Sequence, residues 1–269
     1  MSSESESSRP AGNKFRPRVL AFHKLSSRFS FGSTNFSPAR FEQFLKYLMA
    51  EQFKLEGEDV PKDSTGNVSS VVITFDDGYR HLAQTLPRLI EIYNFKPIVF
   101  IPTAFIGKSN TWDYTHYFVK EPHVDRPEIR MLSESGVIFG SHSHSHVDLS
   151  RLSDRRLLIE LRQSKEILQD ILRKEVTVIS YPFGRASEEV LQAAKESGFR
   201  RGYTMRFPLT DDNPLAAGRI AIYGFDTTLS ISKKLSGSGM FYRLEKVKSS
   251  VSNSLSGGTL LLNRMRRIS

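Results

Sequence analysis

The chain has 269 residues, 39% of them hydrophobic, enough for one large core of α/β-barrel size. It has no cysteine, so disulfides, thiolate metal sites and a cysteine nucleophile are excluded, and any metal must be held by His, Asp or Glu. The formal net charge of +9 suits an anionic partner such as a nucleotide sugar, an acidic glycan, a membrane surface or nucleic acid. Its spread along the chain gives no sign of specific nucleic-acid reading. No apolar run approaches the ~20 residues needed to span a bilayer.

Residues 1–16 are rich in Ser and Glu and are predicted disordered. They lack the basic-then-apolar order of a signal peptide, so a cytoplasmic location is expected. Arg18 to His23 reads as a first strand that ends on a histidine. Ser37-Pro38 is an N-cap followed by proline at the first helical position, and Phe41, Phe44, Leu45, Leu48 and Met49 follow at helical spacing. Residues 56–69 form a polar loop. Val71 to Phe75 is an apolar, β-branched run that suits a strand buried on both faces, and Asp76-Asp77-Gly78 follows at once.

Tyr79 to Tyr93 has helical periodicity, and Pro97 to Ile101 is a third strand. Residues 107–125 are long for a connection and aromatic, with Trp112, Tyr114, Tyr117 and Phe118. They read either as a substrate-facing insertion or as a satellite hydrophobic cluster. A short helix near 126–135 leads to a fourth strand, Val137 to Gly140. Ser153-Asp154 opens a long helix, and Val176 to Tyr181 is a fifth strand followed by Pro182-Phe183-Gly184. A helix near 187–197, a short strand near 201–205, a strand from Arg219 to Tyr223 and a helix from Thr228 to Leu235 complete the domain, 17–235. Residues 236–269 are a basic Ser/Gly-rich tail. Alternating strands and helices predict a parallel sheet with helices outside. About seven strands at this length suggest a distorted (β/α) barrel, with a doubly wound open sheet as the alternative.

On that map His23, Asp76, Asp77, His142, His146 and Pro182 to Gly184 all lie at carboxyl ends of strands, where barrel enzymes build their sites. Two adjacent carboxylates do not both ionise freely unless a cation or a hydrogen-bond network offsets their repulsion. His142 and His146 stand four apart in Ser141-His142-Ser143-His144-Ser145-His146, a spacing that lets two imidazoles face one cation. A His-Asp-His set leaves positions open for water and substrate.

These stretches resemble the polysaccharide deacetylases of the NodB-homology type. Thr74-Phe75-Asp76-Asp77-Gly78 is similar to their first motif, His142 to His146 to the second, and Tyr181-Pro182-Phe183-Gly184 to the third. The resemblance implies a distorted (β/α) barrel, with Asp76 as general base, and Asp77, His142 and His146 as ligands of a divalent metal, zinc first. It also implies that the Phe183 N–H helps hold the oxyanion, and that Tyr181, Pro182, Gly184 and Arg185 line the substrate groove; the aromatic insert with Trp112 separately suits stacking on a sugar. Two departures stand out. The family's base-orienting arginine precedes its prolines, whereas the nearest here is Arg185, after the glycine. The Leu-x-x-His motif that supplies a general acid is missing, and His23 is the substitute, with His144 second. The expected activity is metal-dependent N-deacetylation of a glycan or a lipid- or nucleotide-linked sugar. The tail at 236–269 reads either as a segment that rests on an anionic membrane surface or as a solvated tail, the commoner case. The alternatives are a glycan-binding pseudoenzyme and an amidohydrolase of small amides.

Overall fold

The computed structural model describes residues 18–27, 34–57, 70–109, 120–205 and 213–236. The expectations for the N-terminal segment, for Trp112 and its aromatic neighbours up to Phe118, and for the C-terminal tail lie outside the described residues.

In chain order the elements begin with β1 (Arg18–Phe22), β2 (Lys24–Leu25), β3 (Asn35–Phe36), α1 (Pro38–Ala50), β4 (Lys54–Glu56) and β5 (Ser70–Phe75). Next come α2 (His81–Tyr93), β6 (Ile98–Ile101), α3 (Arg126–Glu134), β7 (Ile138–Ser141), α4 (Asp154–Leu172) and β8 (Val178–Ser180). The last are α5 (Glu188–Glu196), β9 (Arg201–Thr204), β10 (Ala217–Gly218), β11 (Ile220–Ala221) and α6 (Thr228–Ser236). Local chemistry sets the helix starts. The Ser37 side chain accepts from Arg40 N–H at 3.2 Å, with Pro38 first in α1. Asp125 and Glu128 cap each other's amides at the start of α3.

The main sheet is parallel throughout, in the order β10-β9-β8-β7-β6-β5-β1-β11, with β4 on β5. Its two ends are one stretch of chain. β10 pairs with β9, β11 pairs with β1, and only Arg219 stands between β10 and β11. The run 217–221 therefore closes the sheet into a barrel, which rules out the open doubly wound alternative. The seven expected strands are present, the last of them shortened to β11, while β2, β3, β4 at the edge of the expected polar loop, and β10 just before Arg219 are additions. The expected helix from Tyr79 starts two residues later. Residues 78–80 pair instead with 122–124, through Val124 N–H to Gly78 O at 3.0 Å and Arg80 N–H to Pro122 O at 2.9 Å.

Strand alternation divides the apolar residues into two cores. Leu20, Phe22, Val71, Ile73 and Phe75 pack outward against α1 and α2, through Phe41, Phe44, Leu82 and Leu86. Val19, Val72, Ile98, Phe100, Val178, Tyr203 and Ala217 fill the barrel. Continuing the inward register to the carboxyl ends brings His23, Asp76 and His142 to the same mouth. No described helix is long and apolar enough to cross a membrane.

Candidate active site

Asp76 and Asp77 follow β5. Asp76 N–H donates to Phe22 O at 2.9 Å, which keeps the carboxylate loop in step with β1. Asp77 adopts φ 68° and Gly78 φ 60°. A side chain on Gly78 would also collide with Ile101 Cδ1 at 2.3 Å, so only glycine fits this turn.

His142 follows β7 and is 2% exposed. Its Nδ1 lies 2.7 Å from Ser180 O, a pure acceptor, so Nδ1 carries the proton and Nε2 presents a lone pair. His146 sits at φ 53°, after Ser143 at φ 61°. This bend is fastened from inside: Ser143 N–H donates to Ser141 Oγ at 3.1 Å, and His146 N–H to Ser143 Oγ at 3.0 Å. From outside, Glu160 of α4 accepts from His144 N–H at 2.9 Å, Ser145 N–H at 2.8 Å and the Ser145 hydroxyl.

Asp77, His142 and His146 present ligand atoms within 4.8 Å of one another. Asp77 Oδ1 is 3.3 Å from His146 Nε2 and 3.6 Å from His142 Nε2. Tetrahedral ligands at about 2.0–2.1 Å from zinc stand about 3.3 Å apart. Asp77 Oδ1 is buried, and it faces the lone pair of His142 Nε2. Two acceptors turned toward each other in a dry site call for a cation between them, so the residues present fit a divalent metal. Burial works to raise the Asp77 carboxyl, but the hydrogen bond and charge of His146, with His23 and His142, outweigh it and hold the group far below the usual carboxylate range. Burial, with the like charge of His146, takes the His142 imidazole down to about 4 against the pull of Asp76 and Asp77.

Asp76 is clasped by Arg219. Nη1 donates to Oδ1 and Nη2 to Oδ2, both at 2.8 Å, while Thr74 Oγ1 at 3.0 Å and Ser180 Oγ at 2.8 Å accept the guanidinium's other bonds. The Arg219 side chain is fully buried, between the rings of Phe100 and Tyr203. Burial alone would raise Asp76; Arg219, then His142, overcome it and hold the carboxyl at about 2. The arginine that faces Asp76 therefore comes from the stretch that closes the barrel. Arg185 lies elsewhere, donating to Asp148 Oδ2 at 3.4 Å. The available sequence signal was the alternation Ala217, Arg219, Ala221, which points one guanidinium into the barrel among small residues.

The other expected site residues divide. His23 directly follows β1, half buried, close enough for its charge to act on both Asp76 and Asp77; its Nδ1 has no hydrogen-bond partner. Phe183 adopts φ 59°, ψ 10°, and its ring meets His146 edge-on at 5.1 Å. Pro182 is buried, and Gly184, at φ 65°, has Met205 where a Cβ would sit. Tyr181 is not at the mouth: its side chain is fully buried in the outer core, with the hydroxyl over Gly202, because it is on the outward register of β8. His144 points away too. Its Nδ1 meets Thr103 Oγ1 at 2.9 Å, and it lines a separate cleft with Lys108 and Arg126.

The family model for polysaccharide deacetylase matches residues 63–202. YxkH of Bacillus subtilis (strain 168), named for the polysaccharide deacetylases, is 28% identical over 191 residues, which is 69% of this chain and 63% of YxkH. The peptidoglycan-N-acetylmuramic acid deacetylase PdaA of the same organism is 27% identical over 133 residues, 49% of this chain and 44% of PdaA. The chain thus spans less than two thirds of either relative. Among solved structures, the Streptococcus pyogenes deacetylase PplD in complex with acetate superposes with a TM-score of 0.68 at 18% identity, over 81% of this chain and 97% of PplD. With this barrel, this cluster at its mouth and a match over half its length, the chain belongs to the polysaccharide deacetylase family.

Proposed function

We propose that this protein is a divalent-metal-dependent N-deacetylase acting on an amino sugar in a glycan or a lipid- or nucleotide-linked glycan precursor. The observation that carries the reading is the pairing of an Asp77–His142–His146 cluster with a second carboxylate, Asp76, that accepts no ligand role because Arg219 already claims both its oxygens. When bound by Asp77, His142 and His146, the cation, zinc first, supplies Lewis acidity toward the amide carbonyl and the attacking water. Asp76 is ionised at neutral pH and accepts the water's proton as the water adds to the carbonyl. Arg219 keeps that carboxylate oriented. The Phe183 N–H donates to the oxygen that gains negative charge. Asp76, protonated in the first step, or His23 in its protonated form gives a proton to the departing amine as the C–N bond breaks, so the products are acetate and a free amino sugar. The Ser180 carbonyl, through His142 Nδ1–H, keeps Nε2 turned toward the cation site. The intact Arg219–Asp76 pair weighs against a binding protein that has lost turnover.

The test measures metal content and acetate release from N-acetylated chitooligosaccharides on one purified sample, with and without chelator. About one equivalent of zinc and chelator-sensitive release are expected. Asp76→Asn should keep its metal and lose turnover by about 10²–10⁴-fold. An Asp77→Ala protein that kept full activity, or a wild type with neither metal nor release after zinc is added, would sink the scheme. Contact of the basic tail with an anionic membrane, on the cytoplasmic face, is a separate proposal supported by its Lys and Arg content. Salt-sensitive binding to anionic liposomes that survives deletion of residues 237–269 would end it.

A further inference from the structure

The barrel rim beyond β11 carries a feature that this chemistry does not use. Ile222 N–H donates to Ala21 O at 2.9 Å, continuing the β1–β11 ladder one step and bringing Tyr223 alongside His23. Tyr223 is 8% exposed. The Phe225 ring stacks on it at 5.3 Å, with the planes 10° apart, yet Phe225 itself is 60% exposed.

The turn that holds these rings is heavily fastened. Asp226 accepts from Tyr223 N–H at 2.9 Å and forms a 2.7 Å ion pair with Lys234, both side chains 2% exposed. Lys234 also donates to Ala221 O at 3.0 Å and lies 5.2 Å above the Tyr223 ring. From α1, Arg40 donates to the carbonyls of Gly224 and Asp226. Exposing a phenyl ring is unfavourable, and locking its backbone limits any relief. A rigid aromatic at a site's edge instead lowers the ordering cost of binding a flat, apolar face. A pyranose ring has such a face, built from its axial C–H groups. A second copy of the chain is the poorer fit. Among the described residues of this turn and α6, Phe225 and Leu229, the latter 65% exposed, are the large exposed apolar side chains, far short of the ~800 Å² per partner that a stable interface buries.

We propose that Phe225, backed by Tyr223, is a stacking platform for a sugar ring adjacent to the one that loses its acetyl group. The inference rests on the deacetylase reading and adds to it that the substrate is an oligosaccharide chain lying across the β1–β11 side of the mouth.

The experiment titrates zinc-loaded wild type, Phe225→Ala and Phe225→Trp by calorimetry with N-acetylglucosamine and its β-1,4- and β-1,6-linked tetrasaccharides. Acetate release is followed on the same sugars. Phe225→Ala should weaken binding of one tetrasaccharide about tenfold and raise its KM in parallel with little change in kcat, and Phe225→Trp should restore both. The preference for tetrasaccharide over monosaccharide should fall by the same factor. Equal tetrasaccharide affinity in wild type and Phe225→Ala, or no tetrasaccharide binding by wild type, overturns the platform. So does a wild-type dimer, seen by sedimentation, that Phe225→Ala abolishes while glycan binding persists. Binding that depends on Phe225 without acetate release supports the platform and overturns the deacetylase reading, so the two can fail separately.

Discussion

Arg219 and Asp76 meet through two 2.8 Å hydrogen bonds in the interior of the barrel, where neither charge has water to fall back on. Removing one partner leaves the other buried without its counter-charge, which costs about 3–5 kcal/mol. Arg219→Met is therefore expected to lower unfolding free energy by that amount in urea. Arg219→Met combined with Asp76→Leu should recover much of it, because no buried charge is then left over. A second residue-scale effect comes from His123, 1% exposed, stacked on Tyr79 at 5.0 Å, with Nδ1 3.0 Å from Lys108 O. Burial pushes this imidazole down to about 4, against the raising effects of the Lys108 carbonyl and Asp77. In the unfolded chain it returns to about 6.5, so between those values the unfolded state binds more protons. Its contribution is present above pH ~6.5 and lost as pH falls toward ~4. Urea titrations across this window should show His123→Asn losing less stability than wild type, by up to about 3 kcal/mol.

The loops after β5, β7 and β8 hold four non-glycine residues at positive φ: Asp77, Ser143, His146 and Phe183. Each costs about 1–3 kcal/mol and persists only when its surroundings dictate it. For the β7 loop, Glu160 on α4 is that constraint, reaching two amides and a hydroxyl at residues 144–145. Glu160→Ala is expected to leave helix content unchanged while weakening zinc affinity about 10–100-fold, read by competition with a chelating dye. Unchanged affinity would mean that the Ser141 and Ser143 hydroxyls suffice. Much at this scale was legible beforehand. The Ser37-Pro38 start, the apolar run into Asp76-Asp77 and the four-residue histidine spacing all follow from local rules, and the structure bears out each position. The start of α2 was not legible, because residues 78–80 are held by residues 122–124, some forty positions away.

For the molecule as a whole, five residues close the barrel. Without 217–221, β1 and β9 would each present a row of unpaired backbone groups, and the inner core would be open along that seam. The same stretch delivers Arg219 to Asp76, so closure and orientation of the Asp76 carboxylate are one event. A chain ending at residue 216 is therefore expected to be insoluble or molten, with loss of near-ultraviolet circular dichroism, whereas a chain ending at 236 keeps the closed sheet. Soluble, cooperatively unfolding protein from the shorter chain would contradict that role.

By itself the sequence determined the alternation of the main strands and helices, the parallel α/β class, and the two aspartates and two histidines at strand ends. These depend on periodicity and short spacings, which are properties of neighbouring residues. Only the tertiary structure decided that Arg219 rather than Arg185 faces Asp76, that Tyr181 and His144 turn away from the mouth, and that a locked turn lifts Phe225 beside it. Those assignments depend on which residues meet across the closed sheet. Asp76 and Arg219 are 143 positions apart in the chain, and closure of the barrel brings them into contact.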